Sequence, residues 1–468
     1  MKVISSNIFR EIENKLSYPL FLGVPLGATL NDLLTIKFLN GNEKWNLKNY
    51  WLTRLRILRY WFFPKILKRE CLHLPPGKIL IAWLNGTPRF TELVLPLLQE
   101  LKRENCLVLY GNQNVVPLVP DSVHCISWDQ VLSYVEKDWR EEYNRCKSEW
   151  AFRIKSICRE YKLPMGASED FVCSMMISSQ QVSGCIAFLK EAKPAVIVTD
   201  YDRNALWSCL VLAAKLVGVP TVTLVHGVIP HDALGFSPAL ADKIICWGEF
   251  EHEKLLAAGE PPEKIIIGGC SRLSRDLSVS ESMNSIMSSL DPEKPVVMFM
   301  SCPEFHRLEL VDSFCAGVQN LELCTGIVRL HPSEKAETYA AIMERYPEII
   351  FFESNQVSLD DSFASSDVVV VGGSSAGSDA LVKRRPLVVF DFMTVPSGDT
   401  GNIIKFAGCP HARTPEELTE ILRRILLEET YRSNLSSMAE RYVEKLCNVY
   451  GGDAVRMTAD IVRQVVNS

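Results

Sequence analysis

The chain reads as an α/β protein of two tandem Rossmann-like doubly wound domains facing a cleft, preceded by a basic, aromatic, helical N-terminal extension. Three observations lead there. Short apolar runs such as Ile79-Leu-Ile-Ala-Trp83 and Val368-Val-Val-Val371 are bounded by turn residues, the pattern of strands buried on both faces. A helical stretch separates most such runs, and strand–helix alternation means parallel βαβ units. The alternation pauses once, in the Ser-rich polar stretch from Gly268 to Pro292, and then resumes. A length of 468 residues fits two domains plus additions at roughly 150 residues per domain.

In the first half, strands are expected at 79–83, 106–110, 195–199, 221–225, 243–247 and 264–267. Helices are expected at 90–102, 204–217 and 249–258, with a polar, helix-rich insert over 130–192 broken at Pro164 and Gly166. The second half predicts strands at 296–300, 326–330, 349–352, 368–371 and 387–390. Its helices fall near 308–320, 335–346, 359–365 and 375–383, and a helical tail follows the Thr414-Pro415 cap with a break at Gly451-Gly452. The domain limits that follow are 1–70 for the extension, 71–272 for an acceptor domain and 273–290 for a linker. A nucleotide-binding domain takes 291–445 and a C-terminal helix 446–468.

Composition narrows the function. A net charge of −6 argues against a broadly basic nucleic-acid face. No uncharged stretch of 18 apolar residues is found, so a membrane-spanning helix is not expected. Lys2, Arg10, Glu11, Glu13 and Lys15 break up the start, so a secretory leader is not expected. The 15 cysteines are odd in number, irregularly spaced and lack a CxxC, which reads as buried free thiols in a reducing compartment. Between Trp51 and Glu70, six Arg and Lys face one acid among Trp51, Tyr60, Trp61, Phe62 and Phe63. Such a segment on an acidic protein has the composition of an interfacial membrane anchor; the alternative is a core-covering helix pair with solvated arginines.

Ligands of doubly wound sheets bind beyond the carboxyl ends of the strands, so candidate residues are sought there. His226-Gly227 follows strand 221–225, and a histidine there, with a pKa near neutrality, suits a general base on a sugar or alcohol hydroxyl. His231 lies in the same loop. His331-Pro332-Ser333 ends strand 326–330, where the histidine can donate to a phosphate. Gly372-Gly373-Ser374-Ser375 leads from a strand into a helix carrying Asp379, a capped turn that doubles as an anion and ribose site. Asp200-Tyr201-Asp202 matches a DxD pattern; structural carboxylates are the favoured reading, with Asp202 kept in reserve as acid or base. Arg272, at the domain junction, can reach a phosphate. Ordinary turns and satisfied loop histidines are the competing explanation for each. No Walker loop, HExxH, GxSxG or N-terminal GxGxxG competes.

The run Thr221 to Gly227, the segment Ala241-Asp242 to Trp247-Gly248, and Gly269-Cys-Ser-Arg272 resemble GT-B glycosyltransferases of surface-polysaccharide synthesis. His331-Pro332 and Gly373-Ser374-Ser375 resemble the HP and SS motifs of CMP- and CDP-dependent members, such as sialyl- and Kdo-transferases and CDP-glycerol glycerophosphotransferases. The likeness spans about 195–392. Val225-His226-Gly227-Val228 departs from the Trp-His-Gly-Thr of the glycerophosphotransferases. No acidic-acidic-Gly motif of the sialyltransferases is present, so CMP/CDP and UDP donors both stay open. The resemblance implies a metal-independent glycosyltransferase or glycerophosphotransferase-like enzyme without cofactor, acting on a cell-surface polysaccharide or lipid-linked acceptor. It would work in the cytoplasm, at the inner face of the membrane. His226 would be the base, with Asp202 in reserve. His331, Pro332, Ser333, Gly373, Ser374, Ser375, Asp379 and Arg272 would hold the nucleotide; Gly86, Thr87, Gly227 and His231 would hold the acceptor. The alternatives are a non-hydrolysing sugar-nucleotide 2-epimerase and a non-catalytic nucleotide- or glycan-binding protein.

Overall fold

The computed structural model describes residues 6–30 and 79–467, apart from 137, 164–165, 231–232, 234, 276–282, 284–286, 289, 304–305, 375 and 393–397. His231, Ser375 and the aromatic segment 51–70 therefore lie outside the described residues.

Seven strands build the first sheet: β1 Ile79–Trp83, β2 Leu107–Tyr110, β3 His124–Ser127, β4 Val196–Thr199, β5 Thr221–Leu224, β6 Lys243–Cys246 and β7 Ile265–Ile267. They are ordered 3-2-1-4-5-6-7, and every pairing is parallel. The second sheet has β8 Val296–Met300, β9 Thr325–Arg329, β10 Ile350–Phe352, β11 Val368–Val371, β12 Leu387–Phe390 and β13 His411–Ala412. Its order is 10-9-8-11-12-13, again all parallel. Both orders reverse direction beside their first strand, the switch point at which ligands of doubly wound sheets bind.

The expected strands are present within a residue or two. All five residues of β1 and all four of β11 are buried, as their unbroken apolar runs require. Two strands carried no such run. β3 has only Ile126 fully buried, and β13 is two residues long; both sit at sheet edges, where little apolar side chain is needed.

Helices are set by their caps. Asn204 Oδ1 accepts from the Leu206 and Trp207 amides and opens α6 (Ala205–Val217). The preceding helices are α1 Ser6–Leu16, α2 Pro88–Leu101, α3 Trp128–Leu132, α4 Trp139–Glu160 and α5 Ala167–Ala192. α5 is long and apolar enough to cross a membrane by composition, but most of it is buried inside the first domain against α4 and α6.

Within 1–70, residues 6–30 are part of that domain's core. Ile12, Leu16, Phe21, Leu26 and Leu30 are buried with α4, α5 and α6. Glu13 forms a buried ion pair with Arg203 in the loop before α6. Burial raises the Glu13 carboxyl pKa, and the Arg203 guanidinium opposes that rise.

After α6 come α7 Glu249–Ala257, between β6 and β7, and then α8 Arg307–Gln319, α9 Ala340–Arg345, α10 Leu359–Ala364, α11 Ala376–Val382 and α12 Gly398–Ala407 in the second domain. α13 Pro415–Leu427, α14 Glu429–Leu446 and α15 Gly451–Asn467 end the chain. The last helix returns to the first domain, where Ala459, Ile461 and Val462 are buried with Ile79, Leu97 and Val196. The return is tight. A Cβ on Gly248 would stand 2.5 Å from the carbonyl oxygens of Lys445 and Leu446, and one on Gly269 (φ +78°) 2.6 Å from Val449 O. The Cys270 amide donates to Val449 O at 3.0 Å, and the Gly451 amide donates to Cys270 O at 3.2 Å. The 14 described cysteines are free thiols, most of them buried.

Arg203→Ala, which strands a buried carboxylate, should cost about 3–5 kcal/mol of stability. Glu13→Leu with Arg203→Met should recover most of it in urea denaturation. Equal losses in the single and double variants would refute the pairing.

Candidate active site at the strand ends

Asp200 and Asp202 follow β4 and are both buried. Asp200 Oδ2 accepts from the Leu84 amide at 2.7 Å, and Oδ1 accepts from Trp207 Nε1 at 2.8 Å. It thereby fixes the loop after β1, and burial pushes its carboxyl up to about 7 against those donors. Asp202 Oδ2 accepts from the Leu240 and Ala241 amides at 2.6 and 2.7 Å. A carboxylate committed to two amides in the interior is a brace, so the reserve role of Asp202 as acid or base falls away. Among the described residues, no three His, Cys, Asp or Glu side chains are grouped to hold a metal ion.

Tyr201, between the two braces, reaches the site. Its ring lies 4.6 Å from the His226 ring, edge to face, with Phe236 stacked at 5.0 Å and Phe90 at 5.3 Å. His226 sits just beyond β5, half-buried in this aromatic box, and its Nδ1 is buried without a hydrogen-bond partner. Burial pushes the imidazole down to about 3, and the nearby Arg89 and Arg272 guanidinium groups add to the shift. The ring is therefore neutral at physiological pH. Burial sets most of this loss of basicity, and the two cations set the rest. The Arg89 guanidinium lies close over Gly227, its Cζ 3.1 Å from where a Cβ would stand.

The loop after β1 supplies Gly86 and Thr87. The Gly86 amide donates to Asn114 Oδ1 at 2.9 Å, and Thr87 Oγ1 donates to Asn85 Oδ1 at 2.7 Å. Thr87 is exposed at the start of α2, the helix that brings Arg89 and Phe90 to His226.

Trp247 Nε1 donates to Val225 O at 2.8 Å, pinning the residue before His226. Its ring lies 5.3 Å from the Arg272 guanidinium carbon. Arg272 in turn forms an ion pair with Asp379 on α11, Nη2 to Oδ1 at 3.0 Å and Nη1 to Oδ2 at 3.2 Å. Asp379, expected on a ribose, is here held by arginine. Glu92 on α2 shares this corner. Glu92 is exposed, yet partial burial of its carboxyl raises the pKa; Arg272 opposes the rise, and Asp379 and Asp360 add to it. A second tie between the halves is Lys254 Nζ, which donates to Ile229 O at 2.6 Å and to Asn402 Oδ1 at 2.8 Å.

In the second domain, His331 follows β9. Its amide donates to Ser301 Oγ at 2.8 Å, at the end of β8. Behind it the buried Glu334 takes hydrogen bonds from Ser301 Oγ and from Tyr339 Oη, the latter at 2.6 Å. The Ser333 amide donates to His331 Nδ1 at 3.2 Å, with Ser333 Oγ 2.8 Å away. An accepting Nδ1 puts the proton of the neutral ring on Nε2, which becomes a donor. Burial lowers the His331 pKa, partly countered by Glu334. Pro332 and Ser333 are exposed beside it. After β11, Gly373 is exposed, and Ser374 Oγ accepts from the Ala376 amide at 3.3 Å.

The structure thus gathers His226, Gly227, Trp247, Arg272 and Asp379 around one junction, while Gly86 and Thr87 lie on the loop that leads into α2. His331 and Gly373-Ser374 stand at the neighbouring strand ends of the second sheet, beside its switch point. Arg89, Phe90, Glu92, Tyr201 and Phe236 were missed. Arg89-Phe90 had a usable signal, being the first helical turn after the first strand.

His226 titrates below its ordinary value, so it stabilises the fold fully above pH 6.5 and loses that contribution as pH falls toward about 3. Acid unfolding over this window should be shallower in His226→Phe; identical pH profiles would remove the histidine from the acid response.

No family model matches the chain, and no curated protein resembles it in sequence. Solved structures do. UDP-GlcNAc 2-epimerase from Neisseria meningitidis, bound to UDP-GlcNAc, is similar at TM-score 0.52 and 12% identity, covering 83% of this chain and 100% of that one. A glycosyltransferase from Rickettsia africae gives 0.52 and 11%, covering 84% and 99%. Anabaena HepE, in complex with UDP and glucose, gives 0.51 and 11%, covering 84% and 100%. With two parallel sheets of seven and six strands, the chain has the GT-B fold of two Rossmann-like domains.

Proposed function

We propose that the protein is a GT-B glycosyltransferase that moves a sugar from a nucleotide-activated donor to a glycan or lipid-linked acceptor. The observation that carries this is the Arg272–Asp379 ion pair, which joins the strand-end cluster of one sheet to that of the other. A donor spanning the junction would meet His331 and the Gly373-Ser374 turn with its nucleotide. Its phosphates would meet Arg272 and Arg89, beside His226.

The phosphates also supply the anion that His226 lacks. Offsetting Arg89 and Arg272 raises the imidazole's basicity, so the ring can take the proton of an acceptor hydroxyl as that oxygen attacks the anomeric carbon. The bond from sugar to phosphate breaks, and the departing nucleotide is stabilised by Arg272 and by the His331 Nε2–H. The UDP ligands of the similar solved structures support a uridine donor over a cytidine one. The acceptor class and a place at the inner membrane face rest on the resemblance and on the basic aromatic segment 51–70.

Calorimetric titration with UDP, CMP, CDP, GDP and ADP tests the donor site. UDP should bind selectively and weaken at least about tenfold on His331→Ala, the loss of one charge-assisted contact. Binding of none would overturn the reading. His226→Gln keeps a donor but loses the base; it should abolish transfer while leaving UDP affinity within about twofold. Retained turnover would remove His226 as the base.

A sugar-nucleotide 2-epimerase is the second reading. Glu92 favours it, because a carboxyl of raised pKa beside Arg272 and Asp379 suits proton transfer at carbon. Deuterium incorporation at C2 of UDP-GlcNAc in the absence of acceptor would establish it.

A further inference from the structure

Away from the strand ends, a groove of about 610 Å³ lies where α7, α12 and α14 meet. Its floor is aromatic. The buried Phe250 ring is met edge-on by Phe406 at 5.1 Å and by Tyr442 at 5.2 Å. Its walls leave apolar surface in water: Phe406 is 43% exposed and Met438 41%. Four cations line it, Lys254, Lys405, Arg441 and Lys445, against the single carboxylate of Glu253. Two of the ammonium groups stand over the rings, Lys254 4.3 Å from the Phe250 centroid and Lys405 5.0 Å from that of Phe406. Lys405 and Lys445 are exposed.

Lys254 is committed to Ile229 O and Asn402, but Lys405, Arg441 and Lys445 stand exposed together on a chain of net charge −6. Exposed apolar side chains ringed by lysine and arginine match an anionic headgroup with the start of its hydrocarbon chain. Cations reach the phosphate while the rings take the chain. We propose that this groove docks the protein on an anionic phospholipid surface, independently of residues 51–70. Because α7 belongs to the first domain, α12 to the second, and α14 leads the chain back between them, docking would hold both domains at the surface together.

The test is co-sedimentation of the full chain with vesicles of phosphatidylcholine, with and without phosphatidylglycerol. Binding should require phosphatidylglycerol. It should fall about tenfold or more in Lys405→Glu with Lys445→Glu, and also fall in Phe406→Ser. All three residues are exposed, so the variants should fold, and circular dichroism checks that they do. Unchanged binding in these variants overturns the proposal. So does complete loss on neutralising Arg54, Arg56 and Arg59. A second measurement uses Met438→Cys carrying an environment-sensitive dye. Its emission should shift to the blue with phosphatidylglycerol vesicles and stay fixed with inorganic phosphate. An equal response to phosphate would make the groove a site for soluble anions and overturn the lipid assignment.

Discussion

The backbone of residues 445–451 lies directly against Gly248, Gly269 and Cys270, and this contact holds two separately built sheets in one arrangement. No side chain larger than hydrogen fits at either glycine. The contact places Cys270 between the Val449 carbonyl and the Gly451 amide. Two residues later the chain reaches Arg272, which is thereby delivered to Asp379 in the other domain. The same return sends α15 across the first sheet to seal its helix layer.

Parallel strands give the rest. Every carboxyl end in a sheet opens on the same edge, so loops far apart in sequence converge without special design. At that edge the chemistry divides cleanly. Asp200 and Asp202 serve as interior braces for neighbouring loops, while Tyr201, pointing between them, forms one wall of the His226 box. Burial holds the imidazole neutral, and Arg89 and Arg272 add to that effect.

The first 30 residues show how composition can mislead about role. They look like the beginning of an appendage, yet Glu13 lies in a buried ion pair with Arg203, and Arg10 reaches Glu260 at 3.3 Å. Burial of two charges demands a partner for each. Residues 6–30 are thus tied to the very loop that carries Asp202.

Strand positions, helix placement and the strand-end histidines were legible in the sequence, because buried parallel strands need unbroken apolar runs and turns need Gly, Pro and Asn; the order of strands in each sheet was not. His226, His331 and Gly373-Ser374 follow such runs directly. Edge strands β3 and β13 were not legible, since an edge makes little demand on side chains. Arg272 was legible as a junction residue, but its partner was not: Asp379 lies 107 positions away, and no local pattern records a pairing over that distance. The aromatic box was hidden for the same reason, its walls coming from residues 90, 201, 226 and 236. The sequence by itself determined which segments become strands and where their ends carry chemistry. Only the tertiary structure decided which carboxylates are braces, which arginines face His226 and what lines the basic groove, because burial and charge proximity are set by contacts between distant segments.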